Sequence, residues 1–144
     1  MEPKLFSVEE ANRLLPKVAP HVAELRKAHG AMRDAEAAVA ALVKEHGETT
    51  LDRPDHPERA RYWQLVAQAR EAEEKVQGLL DEVRFLGAEV KDLDLGLVDF
   101  RHKRGGEVVH LCWRLGEARI GFWHDLAAGF AGRKPIEELE QRKG

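Results

Sequence analysis

The 144 residues are enough for one ordinary domain, or for a small domain carrying an extended helical arm. A net charge of −3, with basic stretches only at Arg101–Arg104 and Arg142–Lys143, lacks the clustered cations that phosphate neutralisation needs, which argues against nucleic acid. One cysteine excludes an internal disulfide, and the charged opening "MEPKLFSVEE" and the absence of any apolar run near ~20 residues predict a cytoplasmic protein without a leader or a membrane span.

The first element starts at "SVEE", where Ser7 and Glu10 can form a capping box. Pro16 and Pro20 each lack an N–H and press on the carbonyl four residues back. They predict a short helix over 8–15, then a kink or break. From there Val18, His21, Leu25, Ala28, Met32, Ala35, Val39 and Leu42 recur at steps of three and four along one helix face, which closes near Gly47. The Pro-, Thr- and Asp-rich stretch around 47–56 is the connection. Pro57 suits a first helical turn, with Asp55 or His56 as its cap. A second seam follows through Tyr62, Leu65, Ala69, Ala72, Val76, Leu79, Val83 and Leu86, and Gly87 is its stop. Two helices of about 25–30 residues, roughly 40 Å long at 1.5 Å per residue, form an antiparallel hairpin. His21, His29 and His46 lack the partner four residues away that a helical metal site requires, so they read as packed side chains.

After Gly87 the period changes to alternation. Runs at about 96–102, 107–114 and 118–124, separated by "KRGG" and "LGE", predict a three-stranded antiparallel meander. A two-residue turn at Gly116–Glu117 would set Trp113 opposite Ile120 and Leu111 opposite Phe122. A four-residue connection at Lys103–Gly106 would set Phe100 opposite Val109. In that register Val98, Phe100, Val109, Leu111, Trp113, Ile120 and Phe122 form one apolar face that must be covered. The fold class is therefore α+β, with residues 1–87 the helical hairpin and 88–144 the meander and C-terminal loop, forming one cooperative unit.

The opposite face carries Asp99, His110, Cys112 and Trp123, with open space at Gly121 beside the thiol. Those four residues, with Arg133 from the Gly-flanked tail, are the candidate ligand-binding set. His110, Cys112, His124 and Asp125 are the candidate metal ligands, although their spacing matches no standard zinc pattern and His124 falls on the apolar face unless its strand bulges. Thiol catalysis is disfavoured: His110 and Cys112, at i and i+2 of one strand, are parallel rather than convergent, and no helix N-terminus follows the thiol. The tail, with Gly129, Phe130 and Gly132, reads as a loop closing over the sheet, and "IEELEQRKG" as a frayed end.

"FSVEEANRLLP", "VKDLDLGLVDF", "LCWRLGE", "IGFWHDL" and "GFAGRKP" together resemble the small bacterial family known as domain of unknown function 2203, from Phe6 to about Pro135. That resemblance implies no assigned reaction and carries over no catalytic residue. The leading expectation is a non-catalytic interaction or assembly protein without a cofactor, a homodimer through the hairpin, because its apolar stripe is wider than one partner helix covers. The alternative is a small-ligand or metal-binding domain on the polar face, with a divalent metal such as zinc. An enzyme comes third. The high charge content (34%), with one Asn and two Thr, is thermophile-like.

Overall fold

The computed structural model describes residues 4–140. The capping box forms as the sequence indicates: Ser7 Oγ accepts from the Glu10 N–H at 3.0 Å and Glu10 Oε1 accepts from the Ser7 N–H at 3.0 Å. Helix α1 then runs Val8–His46 without a break at Pro16 or Pro20, contrary to the expected interruption. Each proline costs about 3 kcal/mol in a helix interior. Leu15, Val18, Val22 and Leu25, all buried around the prolines, each return about 1.5–3 kcal/mol on full burial, so tertiary packing wins. Both prolines lie on the exposed side of the helix.

Gly47 ends α1 at a positive φ of 82°, and its N–H donates to the Val43 carbonyl. A single helical turn, α2 (Glu48–Leu51), leads to α3 (Arg59–Phe85). The residue that caps α3 is Glu58, whose N–H donates to His56 Nδ1 at 3.0 Å, so His56 serves through its ring rather than as the cap residue itself. The seams meet as expected: Leu25, Ala28 and Val76 pack along the hairpin, and Leu42, Leu51 and Tyr62 close its tip. His21 bridges the two helices to Glu82 at 2.6 Å.

Gly87 (φ 99°) turns the chain from α3 into a sheet of five strands rather than three. Strand β1 is Glu89–Asp92, β2 Leu97–Arg104, β3 Glu107–Arg114, β4 Phe122–His124 and β5 Lys134–Pro135. They lie in sequence order and every pairing is antiparallel. The β2–β3 turn is the tight pair Gly105–Gly106, so Arg104 faces Glu107 and Phe100 faces Leu111. That is a shift of two residues from the expected register, which preserves the faces.

The β3–β4 connection departs further. It is not a two-residue turn at Gly116–Glu117 but residues 115–121. Within it the Trp113 indole N–H donates to the Glu117 carbonyl at 2.9 Å, and the Ile120 N–H donates to Asn12 Oδ1 of α1 at 2.8 Å. Leu111 therefore faces Trp123, and Cys112 faces Phe122. A slip of one residue sends every β4 side chain to the other face. Trp123 joins the core; Phe122 and His124 leave it.

That core is shared by both halves of the chain. Phe6, Ala11, Leu15, Val18, Val22 and Val83 of the helical part pack on Val98, Phe100, Val109, Leu111, Trp113 and Trp123 of the sheet. Phe6 and Phe100 meet edge to face, with centroids 5.4 Å apart. The end of the chain was expected to fray, yet Ile136 and Leu139, the latter in the short helix α4 (Glu137–Glu140), are buried in the same core. Residues 141–144, including the Arg142–Lys143 pair, lie outside the described residues.

Candidate functional site

The helices cover one face of the sheet. On the other face, strand alternation brings ionisable groups together. Asp99 of β2 pairs directly with Cys112 of β3, and His110, two residues along β3, pairs with His124 of β4. All four are buried: 4% of Asp99, 5% of His110, 1% of Cys112 and 3% of His124 is exposed. Burial is ordinary for a cysteine, but a carboxylate such as Asp99 is almost never buried without partners.

Asp99 is the hub. His124 Nε2 lies 3.0 and 3.1 Å from its two oxygens, reaching back over β3. His110 Nδ1 stands 3.1 Å from Oδ2, but off the hydrogen-bond direction, so among the described residues neither ring nitrogen of His110 has a well-directed hydrogen-bond partner. The two imidazoles meet edge to face at 5.2 Å. Burial alone would raise the Asp99 pKa. The His110 nitrogen beside it and the His124 imidazole outweigh burial and hold the carboxyl below its ordinary range. The same burial, reinforced by the Asp99 carboxylate, pushes the Cys112 thiol up to about 12. An unaided thiolate nucleophile is thereby disfavoured at neutral pH. Asp99, Cys112 and His124 nevertheless offer one oxygen, one sulfur and one nitrogen, all within 4.8 Å of one another.

A cavity of about 200 Å³ opens over this cluster. Asp99, His110, Cys112 and His124 form its floor; Leu97, Leu126, Ala127 and Phe130 form apolar walls, and Lys91 and Gly129 complete the lining. The walls come largely from the loop after β4, which folds over the sheet as the tail was expected to do. Its Gly129 takes a positive φ of 62°.

The remaining candidates lie elsewhere. Trp123 is in the core, with the Arg104 guanidinium 4.6 Å and the Lys134 ammonium 4.8 Å from its ring centroid. Arg133 is engaged by Glu117 Oε1 at 2.7 Å and stacks on Phe122 at 4.0 Å, which ties the tail to the β3–β4 connection. Asp125 contributes no side chain; its carboxylate faces Lys134 at 3.6 Å. Its backbone carbonyl, however, accepts from His124 Nδ1 at 2.7 Å. Gly121 does not face the thiol, because Phe122 stands opposite Cys112. His124 as a partner of Asp99 was missed by the two-residue turn. The readable signal was His124–Asp125 itself, a ligating residue type beside the strand end, where a longer connection changes the face.

No curated protein and no solved structure matches the chain. A family match covers residues 4–136, nearly the whole chain and slightly more than the motifs span. The chain belongs to the DUF2203 family, described as an uncharacterized conserved protein.

Proposed function

We propose that this is a metal-binding domain, with Asp99, Cys112 and His124 as ligands for a divalent transition ion of the zinc class. One observation carries the reading. The Asp125 carbonyl can only accept, so His124 Nδ1 carries a hydrogen and the lone pair of Nε2 points at the Asp99 carboxylate 3.0 Å away. Two electron-rich atoms at that distance repel unless positive charge lies between them. A proton can fill that role, and so can a metal ion. A backbone carbonyl that fixes the far nitrogen of a histidine is the usual outer support of a metal ligand. Tetrahedral zinc, with bonds of about 2.0–2.3 Å, spaces its ligands about 3.3–3.7 Å apart. The 3.0 Å His124–Asp99 separation is close to that already, and the wider spacings need shifts of about 1 Å. A mixed sulfur, nitrogen and oxygen set suits zinc, cobalt or iron over calcium or magnesium.

Cobalt(II) titration of the chelator-treated protein tests this. Wild type should develop sulfur-to-cobalt charge-transfer absorption at one equivalent, Cys112→Ser should lose that band, and His124→Ala should bind far more weakly. Stoichiometric analysis showing no bound metal, with no band on titration, would sink the reading.

A second reading, assembly through the hairpin, rests on Phe85, which is 91% exposed beside an apolar groove lined by Pro16, Pro20 and Leu86. A two-fold-related copy exchanging Phe85 would cover both grooves. Light scattering at micromolar concentration checks it: a one-chain mass without concentration dependence rules out the homodimer. Among the described residues no helix is long and apolar enough to cross a membrane. Residence in the cytoplasm is proposed from the sequence alone, as is the lack of a nucleic-acid partner.

A further inference from the structure

Resting on the metal-binding reading, we infer that the ion keeps an exchangeable coordination position facing the cavity. It would act there as a Lewis acid toward a small aliphatic molecule ending in an oxygen donor, such as a short-chain carboxylate.

Four features of the site lead there. Among the described residues the convergent donors number three, and three protein ligands plus one open position is the pattern of reactive zinc, whereas structural zinc is closed by four. Next, the ion would not be needed to complete the core. The helices already bury the apolar face of the sheet, and the donors lie on the opposite face. The cavity of about 200 Å³ has the three donors in its floor, and it holds roughly seven waters at the liquid volume of about 30 Å³ each. That is room for a short aliphatic chain and little more. Its apolar walls, Leu97, Leu126, Ala127 and Phe130, suit such a chain. Leu126 and Phe130 are 58% and 37% exposed, so the mouth reaches solvent.

The last feature is His110. It is 95% buried and lines the cavity, and among the described residues neither ring nitrogen has a well-directed hydrogen bond, Asp99 Oδ2 standing 3.1 Å from Nδ1 off the bonding direction. A buried unpartnered polar group is costly, and an oxygen atom on the open position would give this ring a partner. With Asp99 and the Cys112 thiolate each contributing one negative charge, a divalent ion would be formally neutral. It would then accept a neutral carbonyl or a single anion.

The experiment uses the cobalt(II)-loaded full chain, with azide and butyrate as probes. Each should shift the visible d–d bands saturably while the sulfur-to-cobalt band persists. Ala127→Trp, which narrows the cavity from its wall without replacing a donor, should keep the sulfur-to-cobalt band and abolish the butyrate shift. His110→Ala should weaken probe binding about tenfold or more, as expected for loss of one hydrogen bond to a charged group, and His110→Gln should restore part of it. If cobalt binds but neither probe moves the bands, and His110→Ala alters them without any probe, His110 is a fourth ligand in a closed site; this inference then falls and the metal reading stands. If cobalt does not bind, both fall.

Discussion

Replacing Asp99 in two ways separates what the carboxylate does for the fold from what it does for a metal. In chelator-treated protein Asp99→Ala leaves His124 Nε2 and the Cys112 thiol facing a void. Removing one partner of a buried charged pair costs about 3–5 kcal/mol. Asp99→Asn has nearly the same shape. Because the Asp125 carbonyl holds the hydrogen on His124 Nδ1, the Asn amide can donate to the Nε2 lone pair, and its oxygen can still accept from the thiol. The neutral pair should therefore cost only about 1 kcal/mol, the net worth of an ordinary hydrogen bond. Urea unfolding followed by far-UV circular dichroism measures both. Zinc at a thousandfold over its Kd adds about 4 kcal/mol to any fold that binds it. Wild type should show that increment, and neither variant should. Asn as damaging as Ala would refute the proposed tautomer, and a zinc increment surviving in either variant would refute Asp99 as a ligand.

Three further outcomes follow from the same geometry. With its thiol held at about 12, Cys112 is only about one part in ten thousand thiolate at pH 8, so iodoacetamide should label the native protein orders of magnitude more slowly than the urea-unfolded chain. Near-equal rates would show that the thiol is not held down. A Cβ on Gly87, at φ 99°, would stand 2.8 Å from the Phe6 ring; Gly87→Ala should cost about 2–4 kcal/mol in thermal unfolding, and a loss under 0.5 kcal/mol would mean the ring gives way freely. Because Asp99 titrates below its ordinary 3.8 when folded, its contribution to stability is present above that value and lost as pH falls through the lower native value. Urea midpoints of the chelated protein should decline over that interval in wild type and stay flatter in Asp99→Asn.

The helical hairpin was legible in the sequence because its signals are local and redundant. The Ser7–Glu10 box, seams at three- and four-residue steps, and glycines at 47 and 87 each specify the same elements without reference to distant residues. The β2 and β3 strands were legible for the same reason, since alternation over eight residues names the faces even when the register is off by two. Three features were decided only by tertiary structure. Pro16 and Pro20 remain helical because the side chains around them are buried against the sheet and α3, which outweighs two lost hydrogen bonds. Strands β1 and β5, at four and two residues, are too short to carry a period and exist only as partners on the sheet edges. The site turns on the β3–β4 connection, which is held by contacts to distant parts of the chain: Asn12 on α1 accepts from the Ile120 N–H, a bond across 108 residues, and the Leu115 N–H donates to the Gly96 carbonyl. Local turn preferences around Gly116 favoured a tight hairpin. A local turn does form there, the Glu117 N–H donating to the Arg114 carbonyl at 2.9 Å, but β4 begins only at Phe122. The resulting one-residue slip carries Trp123 into the core and His124 to Asp99, because side chains along a strand alternate faces with a period of two.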